Sequence, residues 1–258
     1  MSGLYVEVFS GMSYDELLPA AAKLGFDGFF TNWEYASDLE KMTYYKKLGE
    51  SLSLDYETSH SVIPGSNTIW LVGKEGDDFL DLLKMNADNC EKLAIPILVV
   101  HVQPSAKQNP SFEIGIKRFS ELVRYAKAKN VKIAFENIGM PSFLYRTLDA
   151  LQDSNVGFCY DSGHEACCTL GTHYLTRIGD RLMCTHLHDN DNKSDLHLIP
   201  FDGEIGFDRI VGEMRNCAYK GNITLELNYD RYEGRLSHEQ YLKKSFDTAK
   251  KIRELVMG

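Results

Sequence analysis

No apolar run in this chain approaches the ~18 residues that a membrane-spanning helix requires, so none is expected. The first residues, MSGLYVEVFSGMSYDELL, lack a basic segment followed by an apolar one, so no secretory leader is expected and the location read from the sequence is cytosolic. None of the six cysteines sits in a CxxC pair or a regular framework. Buried free thiols in a reducing compartment are the simplest reading, with the adjacent Cys167 and Cys168 serving as packing. Positive charge is in deficit, 28 Lys and Arg against 37 Asp and Glu, for a net charge of −9. That balance disfavours nucleic acid and anionic membranes as partners. No low-complexity tract and no Pro/Gly/Ser linker interrupts the chain, so residues 1–258 are read as one domain.

What is present is a soluble-protein composition, 43% apolar and 25% charged, in 258 residues, enough to bury a large core. Short apolar runs of β type alternate with helical patterns. The runs are LYVEVF (4–9), FDGFFT (26–31), LDYETSH (54–60), ILVVHV (97–102), VKIAFEN (131–137), VGFCYD (156–161), MCTHLHD (183–189) and ITLELN (223–228). Ser13 with Glu16 opens a helix that ends at Gly25, and Ser237 with Gln240 opens a last helix running to about Val256, each as a capping box. Residues 78–93, 111–129 and 206–219 carry helical periodicity. Eight strand–helix units without a break predict an α/β fold, a (β/α)8 TIM barrel. The structural alternative, an open doubly wound sheet, usually carries GxGxxG at its first turn, and that motif is absent.

In such a barrel the active site lies at the C-terminal ends of the strands, and alternation sorts the inward residues. Ala134 and Glu136 share a face, as do Val99 and His101. Thr224 and Glu226 oppose Ile223, Leu225 and Leu227, and His186 and His188 oppose Leu187. Strand 3 ends in His60, strand 6 in Asp161, and His164 follows within the turn. Six of the eight histidines therefore fall on strand ends or in the loop after strand 7. Carboxylates crowded in a barrel mouth repel one another and resist desolvation, and a divalent cation relieves both costs. Imidazole with carboxylate and no thiolate suits zinc, manganese, cobalt or iron better than magnesium.

The stretches FENIG (135–139), YDSGH (160–164), HLHDND (186–191), DLHLIPFDGEIGFDRI (195–210) and LEL (225–227) resemble the xylose isomerase-like TIM-barrel superfamily, which includes sugar isomerases and epimerases and endonuclease IV. For the isomerase and epimerase branch, the resemblance implies one metal held by Glu136, Asp161, His186 and Glu226. The two glutamates would also be the catalytic acid–base pair, moving a proton beside a carbonyl through a metal-stabilised enediolate. The cofactor implied is zinc, manganese or cobalt. The resemblance to endonuclease IV implies further ligands at His60, His101, His164, Asp195 and His197, and with them a second or third ion. His164, His188 and Trp33 are the expected substrate contacts, His188 being alternatively a group that supports a ligand.

Three features turn the reading toward a small polyhydroxy substrate and away from a multi-zinc phosphodiesterase acting on abasic DNA. The chain is short for a nuclease of this kind. Its loops after strands 2 and 3 are acidic or neutral, where a DNA-bending loop needs basic or intercalating groups. Its loop after strand 7 matches those of small sugar-isomerase-like proteins. Asn192 stands where many epimerases carry a substrate-binding arginine. A metal-dependent dehydratase remains a third outcome, and homo-oligomerisation stays open. Trp33 and Trp70, in the loops after strands 2 and 3, are read as roofing the site or as local packing. Lys193 and Arg231 are candidates to meet a substrate phosphate, and Asp189 and Asp191 are read as solvated.

Overall fold

The computed structural model describes residues 2–258. The first half of these forms β1 (Leu4–Ser10), α1 (Tyr14–Leu24), β2 (Gly28–Thr31), α2 (Leu39–Ser51), β3 (Asp55–His60), α3 (Lys74–Lys92), β4 (Ile97–Val102), α4 (Phe112–Lys127) and β5 (Lys132–Asn137). Then follow α5 (Pro141–Ala150), β6 (Val156–Asp161), α6 (Ser162–Cys168), α7 (Tyr174–Ile178), β7 (Leu182–His186), α8 (Phe207–Asn216), β8 (Ile223–Asn228) and α9 (His238–Met257). The strands form one sheet in the order β7-β6-β5-β4-β3-β2-β1-β8. The two ends of that order meet at Leu187, just past β7, which forms a parallel bridge to Leu225 of β8. Leu187 donates to the Thr224 carbonyl at 2.9 Å and accepts from the Glu226 amide at 3.3 Å. Eight parallel strands, each followed by helix, with the first and last joined in this way, are the (β/α)8 barrel expected from the sequence.

The chain divides into two compact units. One comprises Met1–Phe30, Tyr44–Tyr56 and Tyr160–Gly258. In it β1 runs parallel to β8, with Glu7 in register with Glu226. Helix α1 begins with the Ser13–Glu16 capping box and stops at Gly25, whose φ of 99° is a left-handed conformation that glycine adopts without strain. Helix α9 begins with the Ser237–Gln240 box. Expected strand 7 stops early. Past Leu187 the chain leaves the ladder: Ser162 Oγ donates to the His188 carbonyl at 2.7 Å, and Asp189 pairs antiparallel with Leu198.

The other unit comprises Thr31–Thr43 and Glu57–Cys159. Here β4 and β5 pair so that His101 stands beside Glu136. Of the two readings the sequence left open for Trp70, roofing the site or local packing, the structure selects packing. Trp70 is fully buried, with Phe119 at 5.2 Å and Phe143 at 4.9 Å between ring centroids. The loop that carries it is tied down by Arg118 of α4. That guanidinium donates to the carbonyls of Ile69 (2.8 Å), Leu71 (2.6 Å) and Gly73 (3.0 Å) and to Asp77. A charged side chain with this many acceptors can be buried, and it makes the loop after β3 a fixed wall.

Helices α2, α5, α6 and α7 were not individually foreseen. The α2 stretch LEKMTYYKKLGES has few apolar positions, which leaves a faint helical period, and α6 and α7 are only seven and five residues long. A start signal for α5 was available in Pro141, the residue type whose fixed φ suits a first helical position.

Candidate metal centre

In the second unit, three side chains at the C-terminal ends of neighbouring strands meet. Glu136 of β5 is fully buried, and its Oε2 lies 3.1 Å from His60 Nε2 and 3.5 Å from His101 Nε2. The two Nε2 atoms are 3.1 Å apart. Donors on one zinc at about 2.1 Å, in tetrahedral array, are roughly 3.4 Å from each other. The three separations are hydrogen-bonding distances that would also suit donors sharing one ion. His60 Nδ1 faces its neighbour's carbonyl, Ser61 O, at 2.8 Å, which leaves Nε2 as the nitrogen turned to Glu136.

The first unit gathers a larger set. Asp161 ends β6 and also caps α6, accepting from the His164 amide at 2.6 Å. One carboxylate thereby finishes the strand, starts the helix and fixes where His164 begins. Its other oxygen is 3.1 Å from His188 Nε2. Burial works against charge on His188, but the Asp161 carboxylate overcomes it and raises the imidazole above its usual range. The His188 ring stacks on that of His197 at 3.8 Å. Asp195 lies 3.3 Å from His164 Nε2 and 3.2 Å from His197 Nε2. Burial would raise the Asp195 carboxyl, yet the hydrogen bonds from His164 and His197 hold it far below the carboxylate range. Glu226 Oε2 is 3.7 Å from His186 Nδ1 and 3.8 Å from His197 Nδ1. Ligand atoms of His188, His197 and Glu226 lie within 4.8 Å of one another.

Every donor in both groups is an imidazole nitrogen or a carboxylate oxygen, and the two trios are buried. That chemistry fits a divalent transition ion, which offsets the cost of enclosing several carboxylates. His60, His101 and Glu136 come together in one unit; Asp161, His164, His186, His188, Asp195, His197 and Glu226 line the other. Trp33 is half-buried in the turn after β2, and Lys193 and Arg231 are exposed.

Two expectations need correction. Asp189 is not solvated. It is buried and accepts from four backbone amides, those of Asn190 (2.8 Å), Phe201 (3.0 Å), Gly203 (3.0 Å) and Ile205 (2.9 Å). Burial pushes its carboxyl up, and the four N–H groups pull against that. Asp191, as expected, faces water and accepts from Lys193 and Ser194 in a turn. The cysteines also differ from expectation: all six are free, but only Cys90, Cys159 and Cys184 are buried.

Side chains that supported the site were missed. Phe30 stacks on His186 at 4.6 Å with a 6° interplanar angle, and Phe9 meets the His197 ring edge-on at 4.7 Å. Ser162, visible within YDSGH, clamps the His188 backbone. Gly163 approaches the His188 ring so closely that any added Cβ would collide with Cε1. Gly163→Ala is therefore expected to displace His188 and to destabilise the fold by about 1–3 kcal/mol, measured by denaturant titration. An unchanged midpoint would mean that the ring moves aside freely.

Among the described residues no helix is long and apolar enough to cross a membrane. The family model for the xylose isomerase-like TIM barrel matches residues 18–252. The uncharacterized protein y4fM of Sinorhizobium fredii is 32% identical over 191 residues, 69% of this chain and 61% of that protein. Fructoselysine 3-epimerase of Escherichia coli O157:H7 is 33% identical over 54 residues, 21% of this chain and 20% of that enzyme. The chain thus spans less than two thirds of the length of either of these relatives. The crystal structure of D-psicose 3-epimerase with D-tagatose from Clostridium cellulolyticum H10 superimposes with a TM-score of 0.80, at 12% identity, over 99% of both chains. With a matching model that spans most of its length and the barrel that model describes, this chain belongs to the xylose isomerase-like TIM-barrel family.

Proposed function

We propose that this chain is a divalent-metal-dependent epimerase or isomerase of a small sugar, sugar phosphate or polyol, acting in the cytosol. The observation that carries this reading is the burial of two glutamates among imidazoles, Glu136 on β5 and Glu226 on β8, each at the active-site end of its strand. The fold shared with D-psicose 3-epimerase supports it. Glu136, Asp161, His186 and Glu226 would hold the ion, as the family pattern implies. When bound, the ion would draw electron density from the substrate carbonyl and the adjacent hydroxyl, so that the neighbouring C–H becomes more acidic. Glu136 and Glu226 would serve as base and acid, one removing the proton beside the carbonyl and the other delivering one. Asp161 orients His188, and Phe30 holds the His186 ring flat. His164, His188 and Trp33 would contact the sugar. Lys193 and Arg231 would meet a phosphate if the substrate carries one.

Purification without chelator followed by elemental mass spectrometry is expected to find about one manganese, cobalt or zinc ion per chain. Incubation with ketoses in D2O is then expected to exchange the hydrogen beside the carbonyl, seen by proton NMR, and to stop when the ion is removed. If metal-loaded protein exchanges no carbon-bound hydrogen across a broad ketose and inosose panel, this reading fails.

The His60–His101–Glu136 trio favours a second reading, because an epimerase ion would already be satisfied by four ligands. In that reading the chain is a multi-zinc phosphodiesterase. Two or three zinc ions per chain, with cleavage of a duplex containing an abasic site, are its expected signature.

A further inference from the structure

We propose that Cys167 and Cys168 form a thiol-modification site, an adjacent pair that a hydroperoxide converts reversibly to a disulfide. This goes beyond the sugar chemistry proposed above and does not depend on it.

The two sulfurs are 3.2 Å apart, already in contact through an S–H···S hydrogen bond. They sit at the C-terminal end of α6, and Cys168 is exposed while Cys167 is half-buried. The other cysteines lack this combination. Cys90, Cys159 and Cys184 are buried, and burial pushes the Cys90 thiol up to about 12. Cys217 is half-buried, donates to the Met214 carbonyl and is likewise raised by burial. Among the described cysteines, only the α6 pair offers a solvent-facing sulfur with a second thiol sulfur in reach. Exposure distinguishes their roles. Cys168 is exposed and Cys167 half-buried, so a peroxide in solution meets the Cys168 sulfur first, and the Cys167 sulfur in contact behind it holds the Cys168 thiol below its usual range.

Closing the bond requires the sulfurs to approach to about 2.05 Å. Adjacent α-carbons are about 3.8 Å apart, below the usual range for a disulfide, so the ring needs backbone movement. The chain can provide it here. The helix ends at Cys168, Thr169 has already left helical geometry with φ −144°, and Leu170 beyond it is 74% exposed. A ring closed against such resistance opens readily with a dithiol, which makes the change reversible.

The chemistry balances with a hydroperoxide as oxidant. The Cys168 thiolate attacks the terminal peroxide oxygen; an S–O bond forms, the O–O bond breaks, and the departing alkoxide or hydroxide takes up a proton. Cys168 is now a sulfenic acid, oxidised by two electrons, and the peroxide is reduced to an alcohol or water. The Cys167 sulfur then attacks the Cys168 sulfur. The S–S bond forms, the S–O bond breaks, and water leaves carrying the Cys167 proton. Two thiols and one hydroperoxide give one disulfide, one alcohol or water, and one water.

The full chain should be treated with hydrogen peroxide at equal concentration, then denatured, alkylated and digested for mass spectrometry. The peptide holding both cysteines is expected to lose two hydrogens and two alkylation sites, and to regain both after dithiothreitol. The Cys167→Ser chain is expected to stop at a sulfenic acid that dimedone traps on Cys168, and Cys168→Ser to show neither product. Full alkylation of both thiols in peroxide-treated protein overturns the proposal. So does a disulfide that joins either residue to another cysteine or another chain.

Discussion

Glu136→Gln is expected to lower turnover by about 10³-fold while leaving the fold intact, because general base catalysis of this kind contributes 10²–10⁴-fold. Glutamine keeps the shape and can still face His60 and His101, but it can neither take a proton nor offer a charged oxygen to a cation. Two readouts separate these losses. Turnover at saturating metal reports the proton transfer, and the metal concentration for half-maximal activity reports the lost ligand. The thermal midpoint is expected to move little, because an amide is cheaper to bury than a carboxylate at a fully enclosed position. Unchanged turnover of the true substrate in this variant would remove Glu136 from the acid–base pair.

Asp189→Ala is expected to be the most destabilising single change outside the barrel core, at about 3–5 kcal/mol. The side chain accepts four backbone amides spread along the loop after β7. Each charge-assisted bond contributes about 1.5–3 kcal/mol, and water entering the space recovers part of the sum. The loop also holds three non-glycine residues in left-handed backbone, Asn192 at φ 58°, His197 at φ 51° and Phe201 at φ 73°. Such conformations cost about 1–2 kcal/mol each and persist only where surrounding bonds enforce them. For a chain of this length the loss corresponds to a melting-point fall of about 6–15 °C. His197 and Asp195 are carried by the same loop, so metal retention should fall with stability. Asp189→Asn keeps acceptor geometry at one oxygen and is expected to lie between wild type and Asp189→Ala. If Asp189→Ala melts within a degree or two of wild type, the loop is held by its Leu198 bridge instead.

The polar residues of the site were legible because strand alternation is local. Glu136, His101, His186 and Glu226 each occupy an inward position two residues from another inward side chain, and backbone pleating alone places them there. His60 and Asp161 were legible as strand ends and His164 as a residue of the turn that follows, whereas the cap that Asp161 places on the His164 amide was not. Phe30 on His186 and Phe9 on His197 were not, since an apolar residue on a strand looks the same whether it faces another phenylalanine or an imidazole. Cys167 and Cys168 likewise gave no sign of their exposure, because a seven-residue helix carries too little periodicity to tell its wet side from its dry one.

By itself the sequence determined the barrel and which imidazoles and carboxylates stand at its strand ends. Eight alternations of β-type run and helical pattern admit few folds, and short-range backbone geometry decides which residues end each strand. Tertiary structure alone decided the standing of Asp189 and Trp70. An aspartate in HDND is a solvated turn residue by every local criterion, and it becomes a buried anchor only because the chain returns to present Phe201, Gly203 and Ile205 amides to it. A tryptophan in a loop is lid or local packing alike until Phe112, Phe119 and Phe143, from two later helices, close around it. Burial is a sum over partners distant in sequence, whereas periodicity is a property of neighbours, and only the folded chain brings the two together.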